Sequence, residues 1–122
     1  MRLSAYLWIA LGSALGGMGR FWLGSEITAR YGTAFPWGTF TINVLGSFLI
    51  GFASTWSRHG TVRLLVMVGI CGGFTTFSSF SLETVNLLRM GAWQRGGAYV
   101  LASVGVCAVA AFLGLLAGRL FD

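Results

Sequence analysis

Four long apolar stretches, separated by short polar breaks, account for nearly the whole chain. They run from about Leu3 to Leu23, Pro36 to Trp56, Val62 to Leu88 and Gly97 to Leu120. Each approaches or exceeds the roughly 20 residues with which a helix crosses a bilayer. The pattern predicts an all-α membrane protein with four transmembrane helices per subunit. Residues 1–122 form a single transmembrane domain with short loops. Met1 to Ala14 has the look of a leader, an early Arg2 followed by an apolar run. That run continues through Gly16 and Gly17 to Trp22, long enough to span, so it reads as a retained helix. Pro36 suits the first turn of the second helix, and Trp37 and Trp56 sit where interface anchors belong.

The third stretch is unlike the others. It contains Gly69-Ile-Cys-Gly-Gly-Phe-Thr-Thr-Phe-Ser-Ser-Phe-Ser81. Each glycine of the Gly72-Gly73 pair weakens a helix by about 1 kcal/mol relative to alanine. Thr75, Thr76, Ser78, Ser79 and Ser81 follow closely. The segment is predicted to break near mid-membrane, at the glycine pair. A broken helix leaves carbonyls and amides unpaired. Lipid tolerates such backbone only where it is buried in protein or faces water. Released carbonyls at Gly72 and Thr75 could coordinate a small cation, and released amides and hydroxyls could serve an anion.

Composition narrows the class. Hydrophobic residues make up 56% of the chain and charged ones 9%, against about 25% charged in soluble domains. A globular domain and a disordered tail are both excluded. The 19 glycines are about twice the usual share and let membrane helices approach closely. The net charge of +5 comes from eight arginines and three acids. The arginines are scattered singly, so they form no stripe for nucleic acid and read as anchors at lipid headgroups. Cys71 and Cys107 lie in apolar runs and read as small buried thiols, and His59 as a solvated loop residue. With four spans, one face carries Arg2, Arg58, Arg63 and Arg119, and the other Arg20, Arg30, Arg89 and Arg95. Orientation follows an excess of positive charge on one side, and this division supplies none. Dropping Arg20, which could lie within the first span, leaves only a weak bias. The chain is therefore expected to insert both ways and to pair antiparallel with a second copy.

Several polar groups lie inside the apolar stretches. Thr39, Asn43 and Ser47 are four residues apart and share one helix face. The Asn43 amide needs a partner, either as a fastener between helices or as a donor on a polar path. Phe77 and Phe80 share a face of the third helix. Alone they read as packing residues. Beside a break and a hydroxyl cluster, two rings presented edge-on could help hold an anion, because a ring's edge is positive. Glu83 is expected toward the membrane surface, as a functional acid or in a pair with an arginine. Arg20 either snorkels, pairs structurally or serves a site.

The run Gly72-Gly-Phe-Thr-Thr-Phe-Ser-Ser-Phe80 resembles the signature of the Fluc (CrcB) family of fluoride channels, Gly-Gly-x-Thr-Thr-Phe-Ser-Thr-Phe, with Ser79 replacing the last threonine. Gly-Arg20, Trp37-Gly-Thr-x-Thr-x-Asn43, Ser81-x-Glu83-Thr and Ala98-Tyr-x-x-Ala-Ser103 extend the resemblance along nearly the whole chain. It implies a dual-topology homodimer with two fluoride pores, exporting cytoplasmic fluoride passively through the cell (inner) membrane. By similarity, Phe77 and Phe80 form the edge-on ring pair and Asn43 is a fluoride donor. Ser79 stands for the pore-lining threonine, and Ser103 and Tyr99 are pore-side groups. Thr39 and Glu83 extend the polar track. Carbonyls of Gly72 and Thr75 from both subunits would hold one structural Na+. The competing readings are a small dual-topology multidrug exporter, which needs a buried acid in the first span, and a non-transporting assembly subunit. One histidine and no acid pair leave little for an enzyme.

Overall fold

The computed structural model describes residues 2–56 and 58–121. Met1, which opens the leader-like stretch, Ser57, which opens the expected second loop, and Asp122 lie outside the described residues. The first helix, α1, spans Leu3–Tyr31. It is about two turns longer than its apolar stretch, because Ser25 to Arg30 keeps helical periodicity without a breaker. It ends at Gly32, whose φ of 76° suits glycine alone. Helix α2 spans Trp37–Ser54.

The third stretch is helical in two halves. The first comprises α3 (Gly60–Val62), a π-helix (Arg63–Cys71) and α4 (Gly72–Phe74). The second is α5 (Phe77–Arg89). Helix α6 spans Trp93–Leu120 and starts earlier than its apolar run suggests, which shortens the third loop to residues 90–92. Arg30, Arg89 and Arg95 consequently sit on helix ends and not in loops.

Among the described residues, three segments are long and apolar enough to cross a membrane: Trp37–Ser54, Gly60–Arg89 and Trp93–Leu120. Helix α1, at 29 residues, is long enough to cross but less apolar, since it carries Arg20 and Glu26. It packs on the π-helix and α4, while α2 packs mainly on α6.

Glycine sets both contacts. A Cβ on Gly12 would run into the Leu65 carbonyl, and one on Gly16 into the Ile70 carbonyl. At the other seam Gly51 faces the Ala111 carbonyl and Gly114 the Phe48 carbonyl. Backbones at this separation exclude any side chain between them, so small residues decide which faces meet.

The break lies two residues later than the glycine pair. Gly72 and Gly73 are helical; Thr75 (φ −82°, ψ 154°) and Thr76 (φ −147°, ψ 112°) are extended. Gly73 is needed for proximity: a Cβ there would stand 2.6 Å from the Ser13 carbonyl oxygen of α1. The helix stops where side chains outbid it for backbone partners.

Candidate functional site: a broken helix between two cavities

Those partners can be named in turn. In an unbroken helix the Thr76 N–H would bond the Gly72 carbonyl. Here it donates to Asn43 Oδ1 at 2.9 Å, and Asn43 Nδ2 donates to the Thr76 carbonyl at 3.1 Å. The Ser79 N–H would bond the Thr75 carbonyl, but it donates to Thr76 Oγ1 at 3.1 Å, which makes Thr76 the N-cap of α5. The Gly73 carbonyl accepts from Arg20 Nε at 3.1 Å. Arg20 is thus a structural partner of the break. The carbonyls of Gly72 and Thr75 are left without their helical donors, as the sequence leads one to expect, although the break that frees them is displaced.

The two halves of the third segment and their neighbours border two open cavities. The smaller, about 330 Å³, is lined by Asn43, Phe77, Phe80 and Ser103, with Gly72 and Thr75 at its wall. Among the described residues, no charged side chain lines it. Phe77 and Phe80 have ring centroids 5.5 Å apart at 57°. Phe80 is half-buried, whereas Phe77 is 78% exposed on the single chain. The Ser103 hydroxyl is buried without a hydrogen-bond partner among the described residues. An orphaned buried hydroxyl on an otherwise mostly apolar cavity is a ready donor for something that enters.

The larger cavity, about 1190 Å³, is more polar, lined by Arg20, Thr39, Ser79, Glu83 and Arg89. Thr39 Oγ1 donates to Glu83 Oε1 at 2.6 Å, so the partner of this acid is a hydroxyl on α2. Thr76 lines both cavities.

The residues selected from sequence therefore divide. Asn43, Phe77, Phe80, Ser103, Gly72 and Thr75 meet at the smaller cavity, and Thr39, Ser79 and Glu83 at the larger. Tyr99 lines neither; it is fully buried behind Phe80, ring centroids 5.1 Å apart, with its hydroxyl unpartnered among the described residues. Thr76 was legible only as one hydroxyl of a cluster. A threonine just ahead of resumed helical periodicity is an N-cap signal that would have singled it out. The thiols of Cys71 and Cys107 are free, and both border the smaller cavity.

Residues 7–115 match the family described as CrcB-like protein, Camphor Resistance (CrcB). The chain belongs to the CrcB family. A relative from Opitutus terrae is 52% identical over 94% of this chain and 92% of its own length. One from Methylocella silvestris is 53% identical over 89% and 88%, and one from Magnetococcus marinus 46% identical over 93% and 96%. Each of these relatives is named a fluoride-specific ion channel FluC. CrcB membership makes this a multi-pass membrane protein, in keeping with its apolar helices.

Proposed function

We propose that this protein is a fluoride-selective channel, not an enzyme, that lets cytoplasmic fluoride leave the cell passively. Fluoride enters cells as neutral HF, dissociates and is trapped as the anion. A membrane potential, negative inside, then drives it out with about 2.3 kcal/mol per 100 mV. The observation that carries the reading is the smaller cavity. Among the described residues it joins an amide, two phenyl rings and an unpartnered buried hydroxyl without a cationic side chain.

Stripping water from a small anion needs many compensating donors. A fixed positive charge would supply them at the risk of holding the ion too tightly to release it. Ring edges and neutral donors give a series of weak sites, which suits passage. Ions leaving the Phe77–Phe80 pair would pass Thr76 to reach the larger cavity, where Ser79, Thr39 and Glu83 lie. Asn43 spends one amide hydrogen on Thr76, which leaves the other for an ion.

The working unit in this reading is an antiparallel homodimer of dual topology, each chain crossing four times with α1 as the least apolar crossing, in the cell inner membrane. Support comes from the even division of arginines and from the exposure of Phe77 and Gly72 on one chain. Na+ fits the same plan. Carbonyl oxygens are the donors a hard cation prefers, and those of Gly72 and Thr75 have lost their helical partners to Asn43 and Thr76. The ion would supply positive charge that offsets those carbonyl dipoles where two copies meet. A drug exporter would require a buried acid in the first helix; Glu26 of α1 is exposed.

Purified protein in liposomes under an ion gradient, monitored with a fluoride electrode, tests the function. Fluoride should be released and chloride retained. Retention of fluoride, or equal release of chloride, overturns the proposal.

A further inference from the structure

A chain of aromatic rings connects the first loop to the phenylalanine pair. Phe35 lies in the loop between α1 and α2, and its ring meets that of Tyr99 edge to face, centroids 5.4 Å apart at 81°. Tyr99 in turn rests on Phe80 at 5.1 Å, and Phe80 on Phe77 at 5.5 Å. Phe35 also contacts Trp37 at 4.6 Å and Phe40 at 6.4 Å, so it is the hub of this cluster.

Two features hold Phe35 in place. Pro36 follows it and bars its backbone from continuing as helix, and the Phe35 carbonyl accepts from the Trp37 N–H at 2.8 Å, closing a tight turn. The Arg95 guanidinium donates from Nη1 to the carbonyl of Ala34, the preceding residue, at 2.9 Å. Arg95 and Tyr99 are one helical turn apart on α6, so the same face of α6 grips the loop backbone and receives the loop's ring. Phe35 also borders the larger cavity, and Arg95 otherwise enters the functional reading only through the division of arginines.

We propose that Phe35, clasped through Ala34 by Arg95, is a positioning residue: it sets the Tyr99 ring, on which Phe80 rests, so that a loop outside the apolar segments controls the geometry of the phenylalanine pair. The inference rests on the fluoride-conducting reading. Tyr99 is fully buried, so its ring can move only if a neighbour yields. Removing the Phe35 ring opens space beside Tyr99. Tyr99 relaxes into it, and Phe80 loses the surface that fixes its edge.

The test has two arms on the full-length protein. In the first, 3-fluorotyrosine replaces the three tyrosines, and the ¹⁹F resonance of Tyr99 is followed in wild type, Phe35→Leu, Arg95→Ala and Arg95→Lys. Loss of the Phe35 ring current, or release of the clasp, should shift or broaden that resonance; lysine, which still donates to a carbonyl, should restore it.

In the second arm, fluoride efflux is measured from liposomes. Phe35→Leu and Arg95→Ala should slow it about two- to tenfold, the worth of one aromatic pair, whereas Phe35→Tyr and Arg95→Lys stay near wild type. An unmoved Tyr99 resonance in Arg95→Ala overturns the clasp. Equal slowing by leucine and tyrosine at position 35 overturns the ring-specific role. If wild type releases no fluoride while the resonance still moves, the conducting reading has failed and the purpose assigned to Phe35 falls with it, although the ring linkage is real.

Discussion

At the scale of single residues, Asn43 does more than an amide on a polar face suggests. Both its oxygen and its nitrogen bond the Thr76 backbone. It supplies the partners that the break removes, and only its second amide hydrogen is free for an ion. Asn43→Asp keeps the acceptor and loses the donor, leaving the Thr76 carbonyl unpaired at a cost of about 1–3 kcal/mol. It also puts negative charge beside an anion path. We expect fluoride efflux to be abolished and the melting temperature in detergent to fall; wild-type efflux would confine Asn43 to fastening helices. Phe80→Ile retains most of the volume but removes the ring edge. Efflux should drop on the order of tenfold, equivalent to ~1.4 kcal/mol, with the oligomeric state unchanged in size-exclusion chromatography. The hydroxyl of Ser79 illustrates a limit of reading residues by type. It belongs to the same cluster as Thr76, yet it faces the larger cavity and bonds the cap.

At the scale of elements, the seams between helices depend on missing side chains. Gly114 of α6 lies against the Phe48 carbonyl, while a Cβ on Gly97 of the same helix would meet nothing within 4 Å. Gly114→Ala should therefore destabilise the protein by about 1–3 kcal/mol through overpacking. Gly97→Ala should be neutral or slightly stabilising, since alanine favours helix. Thermal unfolding in detergent distinguishes them, and equal effects would show that proximity is not what selects glycine at Gly114. The broken segment was legible as broken because glycines and hydroxyls cluster in it. Its breakpoint was not. Gly73 tolerates helix and is required for contact with Ser13, so the helix continues through the pair until Asn43 and Thr76 capture the N–H groups. The π-helix at Arg63–Cys71 had no signal in the apolar pattern, since a widened turn changes which residues share a face without changing their hydrophobicity.

For the whole molecule, the arginine distribution carries the argument. Arg2, Arg58, Arg63 and Arg119 oppose Arg20, Arg30, Arg89 and Arg95 if the chain crosses four times. Arg20 is bonded to the Gly73 carbonyl and so weighs little as an anchor, which leaves four against three. A C-terminal reporter should be found on both faces of the membrane in comparable amounts. Finding it on one face alone would refute dual topology and, with it, the antiparallel pair. In that pair the exposed Phe77 and Gly72 of each chain would be covered by the other.

Hydrophobic periodicity and a run of nine residues were sufficient by themselves to determine the membrane class, the helical segments to within a turn or two, the family and the phenylalanine pair that borders the smaller cavity. These follow from short-range physics, because bilayer thickness sets the length of a helix and residue type sets what a buried group must find. Only tertiary structure decided where the third segment breaks, that Arg20 caps a carbonyl, that Thr39 binds Glu83, and that Tyr99 stands behind Phe80 and not beside the cavity. Each of those outcomes is a competition for a hydrogen or a space between residues far apart in sequence, up to 53 positions for Arg20 and Gly73. No local pattern encodes which competitor arrives first in reach.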